Sequence, residues 1–286
     1  MKEVDNLRGA ALMSAAAVIF AGEALAIRWM TERGIPIEVQ IAARAGGQFL
    51  WVTPRILAGG LRIFRTRRAP MHVLRGLSSL VTWALYYLSF TRLDAATATV
   101  LSFTNVIFTT LLAGPVLGER VDRWRWAGTL IGMGGIALML RPGSGTDPLG
   151  AAMAIGGALT WCGITLTSRS LTRTESTATI LAWVGLVTFS GAAPFAAAAW
   201  VPLGPGNLLI LAVLALASPG IIWLVTDALR VGEASAVTPF QYLRLVFVTL
   251  VAWLAWGELP DAWGWAGAAI ILAGALVITV AEARRR

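Results

Sequence analysis

Residues 118–128 read GERVDRWRWAG and residues 257–267 read GELPDAWGWAG, so the chain spells G-E-x-x-D-x-W-x-W-A-G twice, each time between two long apolar segments. The chain is read as an internal duplication. At the variable positions the first copy carries Arg120, Arg123 and Arg125 where the second carries Leu259, Ala262 and Gly264. Cationic side chains are retained on the cytoplasmic side of short membrane loops. The two copies are therefore expected to face opposite sides of a bilayer.

Composition agrees. In 286 residues, 57% are apolar, 13% are charged and the mean hydropathy is +0.72, more apolar surface than a single soluble core buries. The net charge of +8 is strung along short loops rather than gathered on one face, which argues against nucleic acid as a partner. A lone Cys162 excludes a disulfide framework and a multi-cysteine metal site. His72, also alone and near a segment start, is expected to be an interfacial residue. Trp29, Trp51, Trp124, Trp200 and Trp263 sit at segment ends, where amphipathic rings anchor at headgroup level.

With a spanning length of about 20 residues, ten segments are expected, near 8–28, 37–58, 71–91, 95–116, 124–140, 148–169, 177–199, 207–229, 234–256 and 262–282. Turn chemistry separates them, as in Gly34-x-Pro36, Gly59-Gly60, Arg141-Pro142-Gly143 and Leu259-Pro260-Asp261. Ala24-Leu25-Ala26 has the look of a signal-peptidase site. However, Gly9-Ala10-Ala11 through Phe20-x-Gly22-x-x-Leu25-x-x-Arg28 recurs as Gly150-Ala151-Ala152 through Trp161-x-Gly163-x-x-Leu166-x-x-Arg169, so the first segment is read as part of the fold.

The basic residues assign sides. Lys2, Arg8, Arg55, Arg62, Arg65, Arg67, Arg68, Arg75, Arg120, Arg123, Arg125, Arg169, Arg173, Arg230 and Arg284 to Arg286 fall on one side, Arg28, Arg33, Arg92 and Arg141 on the other. The rich side is the cytoplasm, and both termini are expected there. Residues 1–143 and 144–286 then form two repeats of five helices, an odd number, so the second enters the membrane from the opposite face. The expected fold class is an all-α polytopic membrane protein of ten transmembrane helices, built from two inverted five-helix repeats around a central cavity. Such repeats are typical of alternating-access carriers, whose solute site lies near the midplane.

This pattern resembles the drug/metabolite transporter superfamily, in particular its ten-helix EamA branch. The resemblance covers essentially the whole chain and includes the Gly118-Glu119 and Gly257-Glu258 steps before the fifth and tenth segments. It implies a bacterial inner-membrane carrier in which the first, third, fourth, sixth, eighth and ninth helices surround a cavity and the fifth and tenth close the bundle. One departure stands out: Pro239 interrupts the ninth segment, but its counterpart in the fourth is Leu101. Within the family, the aromatic content of the cavity helices is similar to that of its aromatic amino acid exporters.

Polar groups are costly in hydrocarbon, so the few present are functional candidates. Glu23 and Arg44 lie in the outer third of adjacent segments, which permits an ion pair with either a structural or a gating role. Arg244 lies about 15 Å from the cytoplasmic end of its segment. Its partner is expected to be a bound carboxylate, Glu23 or an aromatic face. Trp83 and Tyr86 belong to an aromatic stripe that serves either packing or a solute cage, and Trp161 repeats Phe20. Phe103, Asn105, Gln241 and Tyr242 stand at matching depths in the fourth and ninth segments, beside Pro239 as a hinge. The expected solute site is Trp83, Tyr86, Phe103, Asn105, Trp161, Gln241, Tyr242 and Arg244.

No phosphate-binding G-x-x-x-x-G-K-[ST], H-E-x-x-H or G-x-S-x-G is present, so neither an ATP-driven pump nor a membrane enzyme is favoured, and no cofactor or metal is expected. Gly128-x-x-x-Gly132, Gly134-Gly135, Gly267 and Gly274 are read as internal helix packing, hence a monomer. The expected activity is export of aromatic or other bulky neutral amino acids and related metabolites by facilitated diffusion, with proton-coupled antiport as the alternative.

Overall fold

The computed structural model describes residues 4–90, 92–93, 95–141, 147–256 and 261–284. They are helical throughout, with no strand among the described residues. In chain order these are α1 (Asn6–Glu32), α2 (Ile37–Gly59), a 3₁₀ turn (Gly60–Phe64), α3 (Ala69–Phe90), α4 (Ala95–Ser102), α5 (Thr104–Leu117), α6 (Arg123–Leu140), α7 (Pro148–Leu171), α8 (Thr177–Ala198) and α9 (Pro205–Val231). After these come α10 (Ala234–Val237), a second 3₁₀ turn (Thr238–Tyr242), α11 (Leu243–Trp256) and α12 (Ala262–Ala283).

Among the described residues, six segments are long and apolar enough to cross a membrane, at 100–117, 148–171, 177–198, 205–231, 234–251 and 262–283. α2 is absent from that set because it carries Glu38, Gln40, Arg44, Gln48 and Arg55. Arg44 and Gln48 nonetheless face protein, with Gln48 buried and the Arg44 side chain 12% exposed. Polarity lowers the apolar signal of a helix whose charges are covered by its neighbours.

The repeated motif has a local mechanism. Gly118 adopts φ 72°, a left-handed conformation that ends α5, with its N–H on Gly114 O at 2.9 Å. Asp122 and Asp261 then cap α6 and α12, accepting from Arg125 N at 3.0 Å and Gly264 N at 2.8 Å. The motif's last glycines, Gly128 and Gly267, lie where α6 crosses α12. A Cβ on Gly128 would meet Gly274 O at 2.7 Å, and one on Gly267 would meet Gly135 O at 2.6 Å. Only glycine permits that approach. Gly134, in contrast, has open space where a Cβ would go, so it takes no part in the crossing.

The other packed pairs are α1 with α9 and α11, α7 with α3 and α5, α2 with α8 and α9, and α3 with α8. The largest core gathers Met13, Phe103, Val106, Ile136, Tyr242, Ile271 and Ile278. Leu57, Phe195, Leu209 and Leu254 are exposed on the outside, as a lipid-facing surface requires.

The two interrupted segments break by different means. The break before α11 is the 3₁₀ turn containing Pro239, which has no N–H to give. The α4–α5 break falls at Phe103 without proline; Thr104 Oγ1 donates to Leu101 O at 2.5 Å and so satisfies a carbonyl freed by the break. His72 departs from expectation. It is fully buried and stacked on Trp183 at 5.5 Å, with neither ring nitrogen hydrogen-bonded. Phe64 of the first 3₁₀ turn packs edge-on against the same Trp183, so this connection covers a position that would otherwise be interfacial.

Candidate functional site

A cavity lies between helices from both halves of the chain, walled by residues of α1, α2, α3, α7, α8 and α9 together with Gln241 and Arg244. Three aromatic rings shape it. Trp83 and Trp161 stand 5.8 Å apart between centroids, and Phe20 faces them from α1. The Arg244 guanidinium lies over Phe103 at 4.7 Å, Phe20 at 5.0 Å and Trp161 at 5.5 Å. That of Arg44 lies over Trp83 at 4.6 Å and Phe20 at 5.5 Å. Ring faces carry negative electrostatic potential, so each guanidinium is attracted to the rings beneath it.

Arg44 is also paired with an acid: its Nε is 3.4 Å from Glu23 Oε1, which accepts from Ser218 Oγ as well. Arg75 forms the third cationic point of the wall. Its Nε donates to Ser168 Oγ at 2.6 Å and its Nη1 to Ser79 Oγ at 2.5 Å. From the sequence Arg75 counts among the cytoplasmic loop charges, but the structure buries it in the cavity wall. The available signal is its position inside an expected span, with Ser79 one turn further along α3.

Of the expected site residues, Trp83, Trp161, Gln241 and Arg244 line the cavity, as does Arg44, whereas Tyr86, Phe103, Asn105 and Tyr242 do not. Tyr86 packs edge-on to Trp83 at 6.4 Å, and Phe103 backs Arg244. Tyr242 is buried against Phe103, and a Cβ on Gly132 would fall 2.5 Å from its ring. Consecutive residues of a 3₁₀ turn point about 120° apart. Gln241 therefore turns to the cavity while Tyr242 turns to α6. Depth along the helix was legible in sequence; direction around it was not. Gln48 and Thr188, which sequence reasoning passed over, also line the wall, and Gln48 Oε1 and Thr188 Oγ1 are buried without hydrogen-bond partners.

Beyond Leu229, at the end of the cavity nearest the first residues of α1, a second constellation joins the two halves. Glu119 accepts from Ala234 N at 2.7 Å, Ser235 N at 3.0 Å and Ser235 Oγ at 2.9 Å, and lies 3.4 Å from Arg169 Nε. The motif's glutamate thus caps α10 of the other half. Arg125, 2% exposed, pairs with Glu233 and, at 2.9 Å, with Glu282, and donates to Ser235 Oγ at 2.9 Å. Asn6 donates to Glu282 Oε2 at 2.7 Å and accepts from Glu233 N at 2.8 Å. Arg125 and Arg169, like Arg75, are thus buried partners rather than loop charges. At the opposite end the pairs Arg141–Asp261 and Arg92–Asp147 are solvent-exposed. Glu258, the second copy's counterpart of Glu119, lies outside the described residues.

Comparison with known proteins places this architecture. A crystal structure superposes with a TM-score of 0.82 at 21% identity, covering 97% of this chain and 98% of that one. The riboflavin transporter of Rhizobium johnstonii is 30% identical over 280 residues, 97% of this chain and 92% of its own length. The S-adenosylmethionine uptake transporter of Rickettsia prowazekii is 28% identical over 229 residues, 80% of this chain and 78% of its own. The riboflavin transporter of Vibrio cholerae is 26% identical, covering 98% and 95% respectively. None of these is named as an amino acid exporter. The EamA-like transporter family matches residues 7–141 and again residues 148–280, and the chain belongs to that family of membrane transporters.

Proposed function

We propose that this transporter carries flat aromatic metabolites, aromatic amino acids among them, by alternating access through the cavity between two inverted five-helix repeats, residues 1–143 and 144–286. The observation that carries this reading is the ring-lined wall: Phe20, Trp83 and Trp161 offer stacking and edge-to-face contacts to a planar solute, with Arg244 and Gln241 beside them for its polar group. Riboflavin and S-adenosylmethionine, the cargoes named for the relatives, each contain a flat heterocycle, which suits the same wall. Helix packing supports the duplication, because the α1 contacts with α9 and α11 are mirrored by those of α7 with α3 and α5, and α2–α9 by α8–α3. Ten spans with both termini in the cytoplasm fit that symmetry and the remaining loop arginines. The buried Glu119 and Arg125 constellation then closes the cytoplasmic end. In a Cys162→Ser background, a cysteine at exposed Asp261 is expected to react with an impermeant thiol reagent on intact cells and one at exposed Arg62 to be protected. Labelling of Arg62 from outside overturns the orientation.

A carrier without an energy source moves solute down its gradient in either direction, so export and uptake are the same cycle run under different gradients. Glu23 bears on the coupling. Its Oε1 is taken up by Arg44 and Ser218, an arrangement that fits a structural ion pair and hence facilitated transport. Proton antiport is the second reading, favoured by the unpartnered Glu23 Oε2. In proteoliposomes, counterflow of an aromatic amino acid is expected with no imposed pH gradient, and Glu23→Gln is expected to retain it. Accumulation driven by a proton gradient and abolished by Glu23→Gln establishes the antiporter instead, and absence of counterflow by any aromatic solute removes the function.

A further inference from the structure

Arg44, Arg75 and Arg244 line one cavity, and among the described residues only one carboxylate, that of Glu23, forms an ion pair with any of them. Glu23 is engaged by Arg44 and Ser218 and does not itself line the cavity. Arg75 is bonded to the uncharged hydroxyls of Ser79 and Ser168. Arg244 is faced by aromatic rings. The wall therefore carries two guanidinium charges in excess of carboxylate. Arginine does not shed its proton in a protein. A buried cation without an anion is unfavourable, and ring faces recover only part of the lost hydration. Such a wall is completed by a negative charge that arrives with the solute.

We propose that the preferred cargo is an aromatic anion without a cationic group: a flat ring bearing a carboxylate or phosphate held between Arg75 and Arg244. This rests on the aromatic reading of the cavity above and narrows it. The unpartnered wall atoms fit this cargo, since Thr188 Oγ1 can donate to the anion and Gln48 Oε1 can accept from a ring N–H. The ammonium of an amino acid meets, among the described residues, no carboxylate on the wall and two uncompensated arginines. A cation such as a sulfonium is disfavoured for the same reason.

Indole-3-propionate differs from tryptophan only in lacking the ammonium, which makes the test direct. Binding to the purified full-length protein in nanodiscs, measured by titration calorimetry, is compared for indole-3-propionate, tryptophan, tryptamine, indoxyl phosphate and butyrate. Indole-3-propionate is expected to bind at least about tenfold more tightly than tryptophan or tryptamine, the scale of one charge-assisted contact. Arg75→Gln is expected to weaken indole-3-propionate about tenfold and so lose its preference over tryptophan and tryptamine, and Arg244→Gln serves as the second variant if the first does not fold. In vesicles, an inside-positive potential is expected to accelerate indole-3-propionate uptake. Tighter binding of indoxyl phosphate assigns a phosphate and weaker binding a carboxylate, either within the proposal. Tryptophan or tryptamine binding as tightly as indole-3-propionate overturns the anion site and leaves the aromatic reading standing. Butyrate matching indole-3-propionate leaves an anion site but removes the aromatic reading, and no saturable binding of any indole removes both.

Discussion

Arg125→Leu is expected to destabilise the protein by about 3–5 kcal/mol, the cost of removing one partner from a buried ion pair. Leucine keeps apolar bulk but leaves the Glu233 and Glu282 carboxylates, and the Ser235 hydroxyl, without the guanidinium that now joins them. Two like charges are then held close together in a poorly solvated site. The penalty arises from the two acids that lose their shared cation more than from the lost attraction. Adding Glu233→Gln and Glu282→Gln to Arg125→Leu is therefore expected to recover a sizeable part of the loss. Thermal or denaturant unfolding of the purified protein measures both variants. An unaltered unfolding midpoint in Arg125→Leu contradicts a structural role for the network, and failure of the triple variant to recover places the cost in packing instead of charge.

The same residues show what could be read from the chain and what could not. The caps at Asp122 and Asp261, the left-handed Gly118 and the close-packed Gly128 and Gly267 are all local consequences of the repeated motif. Local rules acting on short spacings fixed them, and the helix limits follow the expected segments within a few residues. The partner of Glu119 is a different matter. It is the amide end of a short helix 115 residues away, and nothing in the spacing of a Gly-Glu step names it. Arg75 and Arg125 read as loop arginines because charge near a helix end satisfies the positive-inside pattern whether it faces water or protein, and for Arg75 the one contrary signal is Ser79 a turn further along. The α4–α5 break was also hidden, since the fourth segment has Leu101 where the ninth has Pro239 and signals its break only through Thr104. Cavity facing failed for a geometric reason: neighbouring residues at one depth diverge around the helix axis, so Gln241 and Tyr242 part company.

Trp161→Ala and Tyr242→Ala are expected to fail in opposite ways, and the contrast tests whether the cavity wall has been separated correctly from the core. Trp161 is partly exposed to the cavity, touches Trp83 and lies under Arg244. Removing it takes away a stacking surface and one ring face of the cation, contacts worth about 0.5–2 kcal/mol each. Solute exchange is therefore expected to fall about tenfold or more while most of the protein remains folded. Tyr242 is 2% exposed and fills the space between Gly132 and Phe103. Its truncation opens a void where α6 has no side chain to fill it, because Gly132 offers none. By analogy with other large aromatic-to-alanine changes, this costs about 3–5 kcal/mol. The surviving folded fraction of Tyr242→Ala is nonetheless expected to bind solute with affinity close to the parent's, since the ring does not reach the cavity. Counterflow per folded molecule, with folding scored by monodisperse elution and unfolding midpoint, separates the two losses. If Trp161→Ala lowers only the folded yield, or if Tyr242→Ala abolishes binding in protein that remains folded, the solute path runs on the α6 side of the second 3₁₀ turn and the cavity walled by α1, α2, α3, α7, α8 and α9 is not the route of transport.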